Sequence, residues 1–573
     1  MTFVKRLLPL GLSALLAGSV PLAPISVQAA PAPPAKGASA MVAAANPMAV
    51  DAGLKVLKAG GSAVDAAVAV QAVLGLVEPQ SSGLGGGAFM TYYDAKTHKV
   101  TAYNGREKAP ASATGEWFYG PDGKPMPKGQ AIVGGHSAGV PGAIAMLYLA
   151  QHEHGKLAWK DLFGDAEHLA ADGFPVPRRM AEAASSRAPQ AAQPDAVAYF
   201  TKPDGTKVKP GDIMKNQAYA DTLKLVAAQG PKAILEGPIA QDIVARLHQG
   251  PIPSTITLQD LASYKPESGP AVCRPYRAYV VCVPPAPSGG PAVLEGLGIL
   301  QRTDLPAHRN DAEGWYLFSQ ASRLMYADRD RYYGDPDFVS VPMEGLLAPD
   351  YLDARAKLIN PTTAGPAPAP GKPKGAGVRA PDRTCEPGGT THFVIVDKDG
   401  NAVSMTTTVE SIFGDGRMVH GFFLNNQLTD FSFSPKDPDG APAANAVAGG
   451  KRPRSSMAPA VVLDRQGRLV EVVGSPGGPS ILAFNLKALV ATLDWKFPMQ
   501  QALALPNLIA AGNFYASEPE KFPPGVVDQL AAKGVKLQGG PFGEGSGLHG
   551  IEVTPHGLRG GADPRREGVA KGY

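Results

Sequence analysis

The sequence is poor in cysteine and in charged residues, and these shortages exclude several classes of protein. Only three of its 573 residues are cysteine, too few for a small fold held together by disulfides. Lysine plus arginine number 54 and aspartate plus glutamate 51, which leaves a net charge of +3. Because that near-balance provides no basic surface, nucleic-acid binding through bulk charge is not predicted. Charged residues make up 18% of the chain, against a usual share of about 25%.

Long apolar runs are also missing beyond the N-terminus. Residues 7–20 form one apolar run, preceded by Lys5 and Arg6 and followed by small residues up to Ala29 and Ala30. The run is shorter than the roughly 20 residues of a membrane-spanning helix. A basic start, an apolar centre and small residues at the end are typical of a secretory signal peptide. We therefore predict a signal peptide over residues 1–29, no membrane span, and a periplasmic or secreted protein.

The three cysteines leave one pairing open. Cys273 and Cys282 flank a segment in which a turn near residues 275–277 would bring two short strands together. In an oxidising compartment these two cysteines could pair, although the sequence does not establish the geometry that a disulfide needs. Cys385 is left over, and a structural or incidental role is the default interpretation.

Hydrophobic residues make up 44% of the chain, enough for a large core, and their spacing predicts alternating helices and strands. The length suggests three or four conventional domains or one large fold. Helix is predicted over 48–76 with a break at Gly60-Gly61, over 142–152, through most of 157–264, and as a long amphipathic helix over 310–333. Residues 361–381, rich in Pro and Gly, predict an exposed linker.

Strands are predicted on both sides of that linker. Upstream they cover residues 90–94 and 100–103, and downstream 392–397 and 402–409, joined by a hairpin turn at 398–401. A second downstream pair covers 460–463 and 469–473, and a helix follows over 480–493. The pattern predicts sheets flanked by helices on both sides.

Three familiar patterns do not support the functions they usually indicate. Residues 135–139 match G-x-S-x-G around Ser137, but the buried strand and the helix of a nucleophile elbow are missing around them. Residues 83–88 fit G-x-G-x-x-A, yet they follow a predicted helix and precede a strand, the reverse of a dinucleotide-binding loop. Four aspartates are interleaved with Arg329 and Arg331, which favours ion pairs and caps over a metal site: Asp328, Asp330, Asp335 and Asp337.

The segment Gly388-Gly389-Thr390-Thr391 can support a specific chemistry. Two glycines allow strained backbone conformations, so the Thr390 hydroxyl could attack the Gly389 carbonyl and shift the acyl group from nitrogen to oxygen. Hydrolysis would then expose Thr390 as a new N-terminus, whose α-amine can act as base for its own hydroxyl. The unperturbed pKa of such an amine is about 7.7–8.0, close to working pH. Taken alone, the same residues also fit an ordinary entry into a strand.

The residues around this segment are more specific. Residues 390–410 read TTHFVIVDKDGNAVSMTTTVE, followed by FGDGRMVHGFFLNNQLTDFS at 413–432, KRPRSSMAP at 451–459 and GSPGG at 474–478. Upstream lie GLGGGAFM, YNGRE around Arg106, and YADRDRYYGDPDF. In this order, from about residue 40 to 573, the motifs resemble the γ-glutamyltranspeptidase (glutathione hydrolase) family of N-terminal nucleophile hydrolases.

The resemblance implies an α+β fold, a four-layer αββα sandwich with a mainly helical excursion in the large subunit. A precursor would cut itself between Gly389 and Thr390, giving a large subunit of residues 30–389 and a small subunit of 390–573. The two subunits would form a heterodimer that shares one core. Thr390 matches the nucleophile and Thr408 the threonine that hydrogen-bonds it. Gly477 and Gly478 match the oxyanion hole, where backbone N–H groups face developing negative charge.

The resemblance also implies how a substrate is bound. Arg106, Ser455 and Ser456 match the grip on its α-carboxylate. Gln427 and Asp430 match groups that bind its α-amino end. The substrates would be γ-glutamyl compounds such as glutathione, with water or an amino acid or peptide as acceptor. No metal and no cofactor is implied.

Three departures from the family pattern keep an alternative open. Glu410 stands where the best-known members carry an asparagine that contacts the glutamyl head, and Arg454 replaces a commonly apolar residue. Residues 431–446 also form a shorter loop than the lid of some bacterial members. An extra carboxylate and an extra guanidinium beside the pocket could retune acyl preference. Cephalosporin (glutaryl) acylases, whose acyl group has no α-amine, share this framework, although Gln427 and Asp430 favour an amine. A non-catalytic exported binding protein is the other alternative, and an uncut chain would support it.

Overall fold

A seven-stranded antiparallel sheet contains the segment with the predicted nucleophile. The computed structural model describes residues 37–382, 384, 386, 388–539 and 545–573, so the predicted signal peptide and Cys385 lie outside the described residues. The strands of this first sheet follow one another in the order Val569–Gly572, Met41–Ala44, Thr390–Val396, Ala402–Thr408, Gly87–Asp94, Lys99–Gly105 and Glu267–Pro270. Strands from before and after Gly389 therefore occur in the same sheet and pair with one another.

The predicted hairpin at the centre of this sheet is present. Thr390–Val396 pairs with Ala402–Thr408, and Thr390 lies directly opposite Thr408. The turn is closed by Asp397, whose Oδ1 accepts hydrogen bonds from the backbone N–H groups of Asp399 and Asn401, both at 3.0 Å. Gly400 adopts φ = 86°, a conformation that glycine reaches without strain. The turn thus fixes the register that brings the two threonines together.

A second antiparallel sheet has six strands, in the order Gly557–Ala562, His549–Thr554, Leu469–Gly474, Ala460–Asp464, Tyr279–Val283 and Val272–Tyr276. Its last two strands form the hairpin predicted around residues 275–277. Cys273 and Cys282 pair across it as a disulfide, with their Cα atoms 4.1 Å apart. Three short pairs complete the strands: Phe174–Pro175 with Ile213–Met214, Met418–Val419 with Phe422–Phe423, and Leu508–Ala511 with Phe514–Ser517.

Alternate side chains of the strands pack in different clusters. Val394 and Val396 share one cluster with Val461 and Val472 of the second sheet. Phe393 and Ile395, which alternate with them in sequence, pack instead with the helices Pro47–Lys58 and Ala63–Val77. In the second sheet, Val462 and Val473 pack with other helices in a third cluster. This period of two is why a fully buried strand still has two distinct faces. The chain has a mixed α/β fold.

The helices confirm most of the predicted helical segments. Glycines Gly60 and Gly61 separate the first two helices, as expected. None of the described helices combines the length and apolar character needed to cross a bilayer. The α-helices are Pro47–Lys58, Ala63–Val77, Lys128–Ala131, Ala143–His154, Gly164–Asp172, Arg178–Ala184, Pro194–Tyr199, Gln217–Gln229, Lys232–Leu235, Gly237–Leu247, Leu258–Ala262, Gly290–Leu300, Ala312–Tyr332, Met343–Leu346, Pro349–Ala356, Ile481–Leu493, Met499–Ala504 and Val526–Ala532.

The long helix Ala312–Tyr332 differs from the prediction because it has no exposed face. The segment 361–381 has no regular secondary structure and most of its residues are exposed, as predicted, yet parts of it bind along this helix. Arg323 donates to the carbonyl of Pro366 at 2.6 Å, and Asp328 Oδ1 accepts from the Gly371 N–H at 2.6 Å. Polar residues that suggested a solvent-facing side instead bind the backbone of the covering segment.

Candidate active site

One small cavity brings together most of the predicted site residues. Its space is about 20 Å³, roughly enough for a single water molecule. Met457 and Ile481 form its apolar wall, and Glu386, which was not predicted, also lines it. The predicted residues that line it are Arg106, Thr390, Thr408, Glu410, Gln427, Asp430, Ser455, Ser456 and Gly478.

Thr408 connects the two residues of the predicted cleavage site. Thr390 Oγ1 donates to Thr408 Oγ1 at 3.1 Å, and Thr408 Oγ1 donates to the Gly389 carbonyl oxygen at 3.0 Å. The backbone N–H of Glu410 donates to the same hydroxyl at 2.8 Å, which fixes its orientation. The three contacts hold the Thr390 hydroxyl beside the carbonyl that it would attack.

Glycines around the cavity lie where a side chain does not fit. A Cβ on Gly389 would lie 2.4 Å from backbone atoms of Ser411, so the residue before the nucleophile is held tightly against the chain. Gly477 has φ = 135° and Gly478 has φ = 56°, both in the region that favours glycine. Gly478 lines the cavity, and Gly477 immediately precedes it.

Arg566 binds the backbone of Thr390, the predicted nucleophile, and was not singled out by the sequence. Its guanidinium donates to the Thr390 carbonyl at 3.0 Å and to the Gly545 carbonyl at 3.1 Å. It lies near the C-terminus, and its distance in sequence from Thr390 gave no sign of contact.

Acidic and amide groups crowd one side of the cavity. Asp430 Oδ2 accepts from Arg106 at 2.7 Å and from Gln427 Nε2 at 2.6 Å. Arg106 also donates to the carbonyls of Pro453 and Arg454, at 3.2 and 2.7 Å. Its guanidinium therefore holds Asp430 and the chain before the serine pair. The predicted role in binding a substrate carboxylate remains untested.

Glu410 adds a second buried carboxylate beside Asp430. Its φ of 84° is strained for a residue with a side chain. Burial, and then the charge of Asp430, raise the pKa of Glu410 well above its usual value. Burial likewise raises the pKa of Asp430, against the opposing charge of Arg106. Two buried carboxylates this close disfavour ionisation of both unless a positive charge joins them.

Several acceptor atoms in this group have no donor. Glu410 Oε2, Gln427 Oε1 and Asp430 Oδ1 are buried and accept no hydrogen bond from the part of the chain that the structure describes. Buried acceptors without donors cost free energy, and these three lie around one cavity. A donor-only, positively charged group is their natural complement.

The serine pair lies on another side of the cavity. Ser455 Oγ accepts from the Met457 N–H at 3.1 Å, and Ser456 Oγ donates to Glu386 Oε2 at 2.6 Å. Two further guanidinium groups, those of Arg329 and Arg454, bind the same Glu386 carboxylate. The sequence indicated Arg329 only as an ion-pair partner of nearby aspartates and Arg454 only as a departure from the family pattern.

The discounted motifs have structural roles. Ser137 is fully buried and its hydroxyl donates to the Gly134 carbonyl at 2.7 Å. The glycines 83–86 connect a helix to a strand, as predicted. Asp328 forms an ion pair with Arg355 at 2.9 Å and Asp330 with Arg329 at 3.1 Å, the kind of pairing that was predicted in place of a metal site.

Comparison with known proteins agrees with the motifs. A model of the Gamma-glutamyltranspeptidase family matches residues 49–573. The glutathione hydrolase proenzyme of Bacillus subtilis (strain 168) is 35% identical over 552 residues, which cover 94% of this chain and 92% of that protein. The corresponding proenzyme of Escherichia coli (strain K12) is 34% identical and covers 100% of this chain and 99% of its own length.

A solved structure extends the likeness to the fold. The crystal structure of cephalosporin acylase from Bacillus halodurans superimposes with a TM-score of 0.85 at 27% identity, covering 97% of this chain and 99% of that chain. Both sequence and structure thus match over almost the whole length. The chain belongs to the γ-glutamyltranspeptidase family.

Proposed function

We propose that the chain is a self-cleaving γ-glutamyltransferase and glutathione hydrolase that acts on γ-glutamyl amides such as glutathione. The observation that carries this proposal is the set of donor-free acceptors on Glu410, Gln427 and Asp430, in the same cavity as the Thr390 hydroxyl. An α-ammonium group supplies the missing donors and a further positive charge beside that of Arg106. Its binding would let both carboxylates ionise.

Self-cleavage begins with the Thr390 hydroxyl, which attacks the Gly389 carbonyl carbon. The C–N bond of the peptide breaks, its nitrogen gains a proton, and an ester joins Gly389 to Thr390 Oγ. Water then hydrolyses the ester and leaves a carboxylate on Gly389 and a free α-amine on Thr390. Thr408, bound to both reacting residues, holds them in position for the first step.

The same hydroxyl then acts on the substrate. The α-amine of Thr390 accepts its proton as Oγ attacks the γ-amide carbonyl, and backbone N–H groups of Gly477 and Gly478 stabilise the oxyanion. The leaving amine takes the proton and departs, which leaves a γ-glutamyl ester on Thr390. Water resolves the ester in hydrolysis, and an amino acid or peptide amine resolves it in transfer.

A glutaryl acylase is the second candidate, favoured by the close superposition on the cephalosporin acylase. A glutaryl group carries a carboxylate at its far end but no amine, so it would leave the acceptors of Glu410, Gln427 and Asp430 without donors. A site built to bind a donor rejects an analogue that lacks it, often by several powers of ten. The buried acceptors therefore favour the γ-glutamyl substrate.

Two chromogenic substrates test the proposal directly. We expect γ-glutamyl-p-nitroanilide to be turned over at least about a hundredfold better in kcat/KM than glutaryl-p-nitroanilide. Asp430→Asn should reduce this ratio because it removes a charge that pairs with the amine. Phe514→Leu changes an exposed side chain that does not line the cavity, so it is a control for expression and purification. The reverse ranking of the two substrates would favour the acylase.

We extend the proposal to the assembly and location of the protein. The two main sheets and the helices packed on them support a four-layer αββα sandwich. Residues 30–389 and 390–573 would remain together as large and small subunits of a heterodimer. Removal of residues 1–29 would place the protein in the periplasm or outside the cell. An intact mass that never shows the cut before Thr390 would instead support the binding protein.

A further inference from the structure

Asn445 lies behind the wall of the candidate active site and connects two of its parts. The side chain is fully buried but does not line the cavity. Its Nδ2 donates to the Asp430 carbonyl at 2.7 Å and to Asp382 Oδ2 at 2.9 Å, and its Oδ1 accepts from the Arg454 N–H at 2.8 Å. One amide thus joins the residue that would bind a substrate amine to the residue just before the serine pair.

The same two residues are joined a second time by Arg106, from the cavity side. Arg106 Nη2 donates to Asp430 Oδ2 and to the Arg454 carbonyl, both at 2.7 Å. The contacts therefore form a closed ring, in which Arg106 holds the side chain of Asp430 and Asn445 holds its main chain. The Asp430 carboxylate cannot shift within this ring without the loss of a hydrogen bond.

The segment that carries Asn445 is itself held on both sides. Lys451 Nζ donates to the two carbonyls that flank it, those of Ala444 at 2.9 Å and Ala446 at 2.8 Å. The Ser432 N–H donates to the Asn445 carbonyl at 2.8 Å. Asn445 therefore binds Asp430 from a segment whose own backbone is fixed.

The position of Asp430 matters because a substrate amine would have to reach it at a set distance from the nucleophile. In a γ-glutamyl group a short carbon chain separates the α-amine from the γ-carbonyl. The amine meets Asp430 while the carbonyl lies beside the Thr390 hydroxyl only if Asp430 is held at the matching place. A glutaryl group has no amine, so its reaction does not depend on Asp430 in this way.

We propose that Asn445 is a positioning residue that acts through Asp430 and sets the preference for an acyl group with an α-amine. The inference rests on the proposed function, in which Asp430 binds that amine. Asn445 lies outside the cavity and would not touch the substrate. Two of its partners, Asp430 and Arg454, come after Gly389 in the chain, so a cut before Thr390 leaves these contacts within one subunit.

The two chromogenic substrates measure this preference in variants of Asn445. Asn445→Ala removes all three bonds, and we expect the ratio of kcat/KM for γ-glutamyl-p-nitroanilide to kcat/KM for glutaryl-p-nitroanilide to fall about tenfold or more. The fall should come from a higher KM for the γ-glutamyl substrate, because its amine loses binding in the ground state and the transition state alike. Turnover of the glutaryl substrate should change by less than about threefold.

Asn445→Asp separates the contact with Asp430 from the contact with Arg454. The aspartate keeps the shape of the side chain and still accepts from the Arg454 N–H, but its carboxylate has no hydrogen to donate to the Asp430 carbonyl. We expect the ratio of the two substrates to fall in this variant as well. A ratio that falls in Asn445→Ala but not in Asn445→Asp would contradict a role through Asp430.

Asn216 provides a matched control. Its side chain is also buried and also makes three bonds, since it donates to the Tyr199 hydroxyl at 3.1 Å and the Gly421 carbonyl at 2.8 Å and accepts from the Tyr219 N–H at 3.0 Å. It does not line the cavity. Asn216→Ala should lower the thermal midpoint and leave the ratio of the two substrates unchanged. An equal fall of the ratio in both alanine variants, or no fall in Asn445→Ala, would overturn the inference.

Lys451→Met is a second variant in case the Asn445 variants do not fold. It keeps Asn445 and removes only the bonds to the flanking carbonyls, so the ratio should fall by a smaller factor, about two- to fivefold. An unchanged ratio in Lys451→Met would count against the inference. A natural chain that prefers glutaryl-p-nitroanilide would contradict the proposed function and this inference together, whereas a natural preference for γ-glutamyl-p-nitroanilide that persists in Asn445→Ala would contradict the inference alone.

Discussion

The Thr408 hydroxyl makes three contacts at the cleavage site, so its removal should affect processing before anything else. Thr408→Val keeps the shape of the side chain and loses the bonds to Thr390, Gly389 and the Glu410 N–H. We expect self-cleavage to slow by about a hundredfold, because the attacking hydroxyl is no longer held against the carbonyl. The fraction of uncut chain over time, measured by intact mass, gives the rate.

The neighbouring threonine offers a matched control for this substitution. Thr407 is equally buried, but its hydroxyl donates to the Gly87 carbonyl, at 3.3 Å, instead of to the cleavage site. Thr407→Val should cut at close to the normal rate, whereas Thr390→Ala should not cut at all. Equal slowing in both valine variants would mean that Thr408 acts through stability and not through position.

At the scale of single residues, the sequence predicted the members of the cavity but not all their partners. Thr390, Thr408 and Asp430 lie in short motifs that keep their spacing, so they could be identified without a structure. Glu386 and Arg329 lie 57 positions apart and come together only in the fold. No local pattern indicates such a pair, because an ion pair with the neighbouring aspartates already accounts for Arg329 in the sequence.

At the scale of elements, the strand Leu469–Gly474 contains a buried acid whose titration should be measurable. Glu471 is 2% exposed, and its Oε1 accepts from Thr492 Oγ1 at 2.8 Å. Burial, with a smaller effect from Glu552, raises the pKa of Glu471 to about 8. The folded chain therefore keeps a proton that the unfolded chain loses near its ordinary pKa of about 4.3.

The consequence is a loss of stability with rising pH that Glu471→Gln should remove. Between about pH 4.3 and pH 8 the unfolded state releases the proton first, so the free energy of unfolding falls as the pH rises. In the Thr390→Ala background, the glutamine variant should gain roughly 4 kcal/mol relative to its parent between pH 5 and pH 8.5. Denaturant unfolding at pH 5 and pH 8.5 measures the difference. Glu520→Gln, at an exposed position, should show no such gain.

The hairpins were well predicted from sequence; for the long helix the bounds were confirmed, but its predicted exposed face was wrong. Around residues 398–401 a turn sequence separates two β-rich runs, so local chemistry determines both the strands and their register. The helix Ala312–Tyr332 carries polar residues that in isolation predict an exposed face. The segment 361–381, which binds along this helix, has no apolar periodicity that would predict this contact. Periodicity alone cannot distinguish a helix covered by irregular chain from a helix with a solvent-exposed face.

At the scale of the whole molecule, the first sheet joins the parts of the chain on either side of Gly389. The strand Thr390–Val396 lies between Met41–Ala44 and Ala402–Thr408, and the latter pairs with Gly87–Asp94. The last strand, Val569–Gly572, pairs with Met41–Ala44 at the edge. Each part therefore completes a sheet that the other part needs, and the length that suggested several domains belongs instead to one interleaved core.

A permuted chain tests whether self-cleavage does more than produce an amine. The Ser39 N–H donates to the Tyr573 carbonyl at 2.7 Å, so a short linker can join these ends. A chain of residues 390–573, the linker and residues 39–389 would begin at Thr390 once its initiator methionine is removed. We expect γ-glutamyl turnover within about tenfold of the natural chain without any cut, because the entropic cost of a short linker is small. A folded but inactive permutant would contradict this expectation.

The pairing of Val569–Gly572 with Met41–Ala44 places the first and last described strands side by side at the edge of the first sheet. A cut before Thr390 would open the chain at a second place. The order of the strands in the sheet therefore differs from their order in the sequence. The nucleophile can lie in the middle of the gene and still begin a strand at the centre of the sheet. Cleavage before Thr390 would convert this internal position into the terminus at which the strand begins.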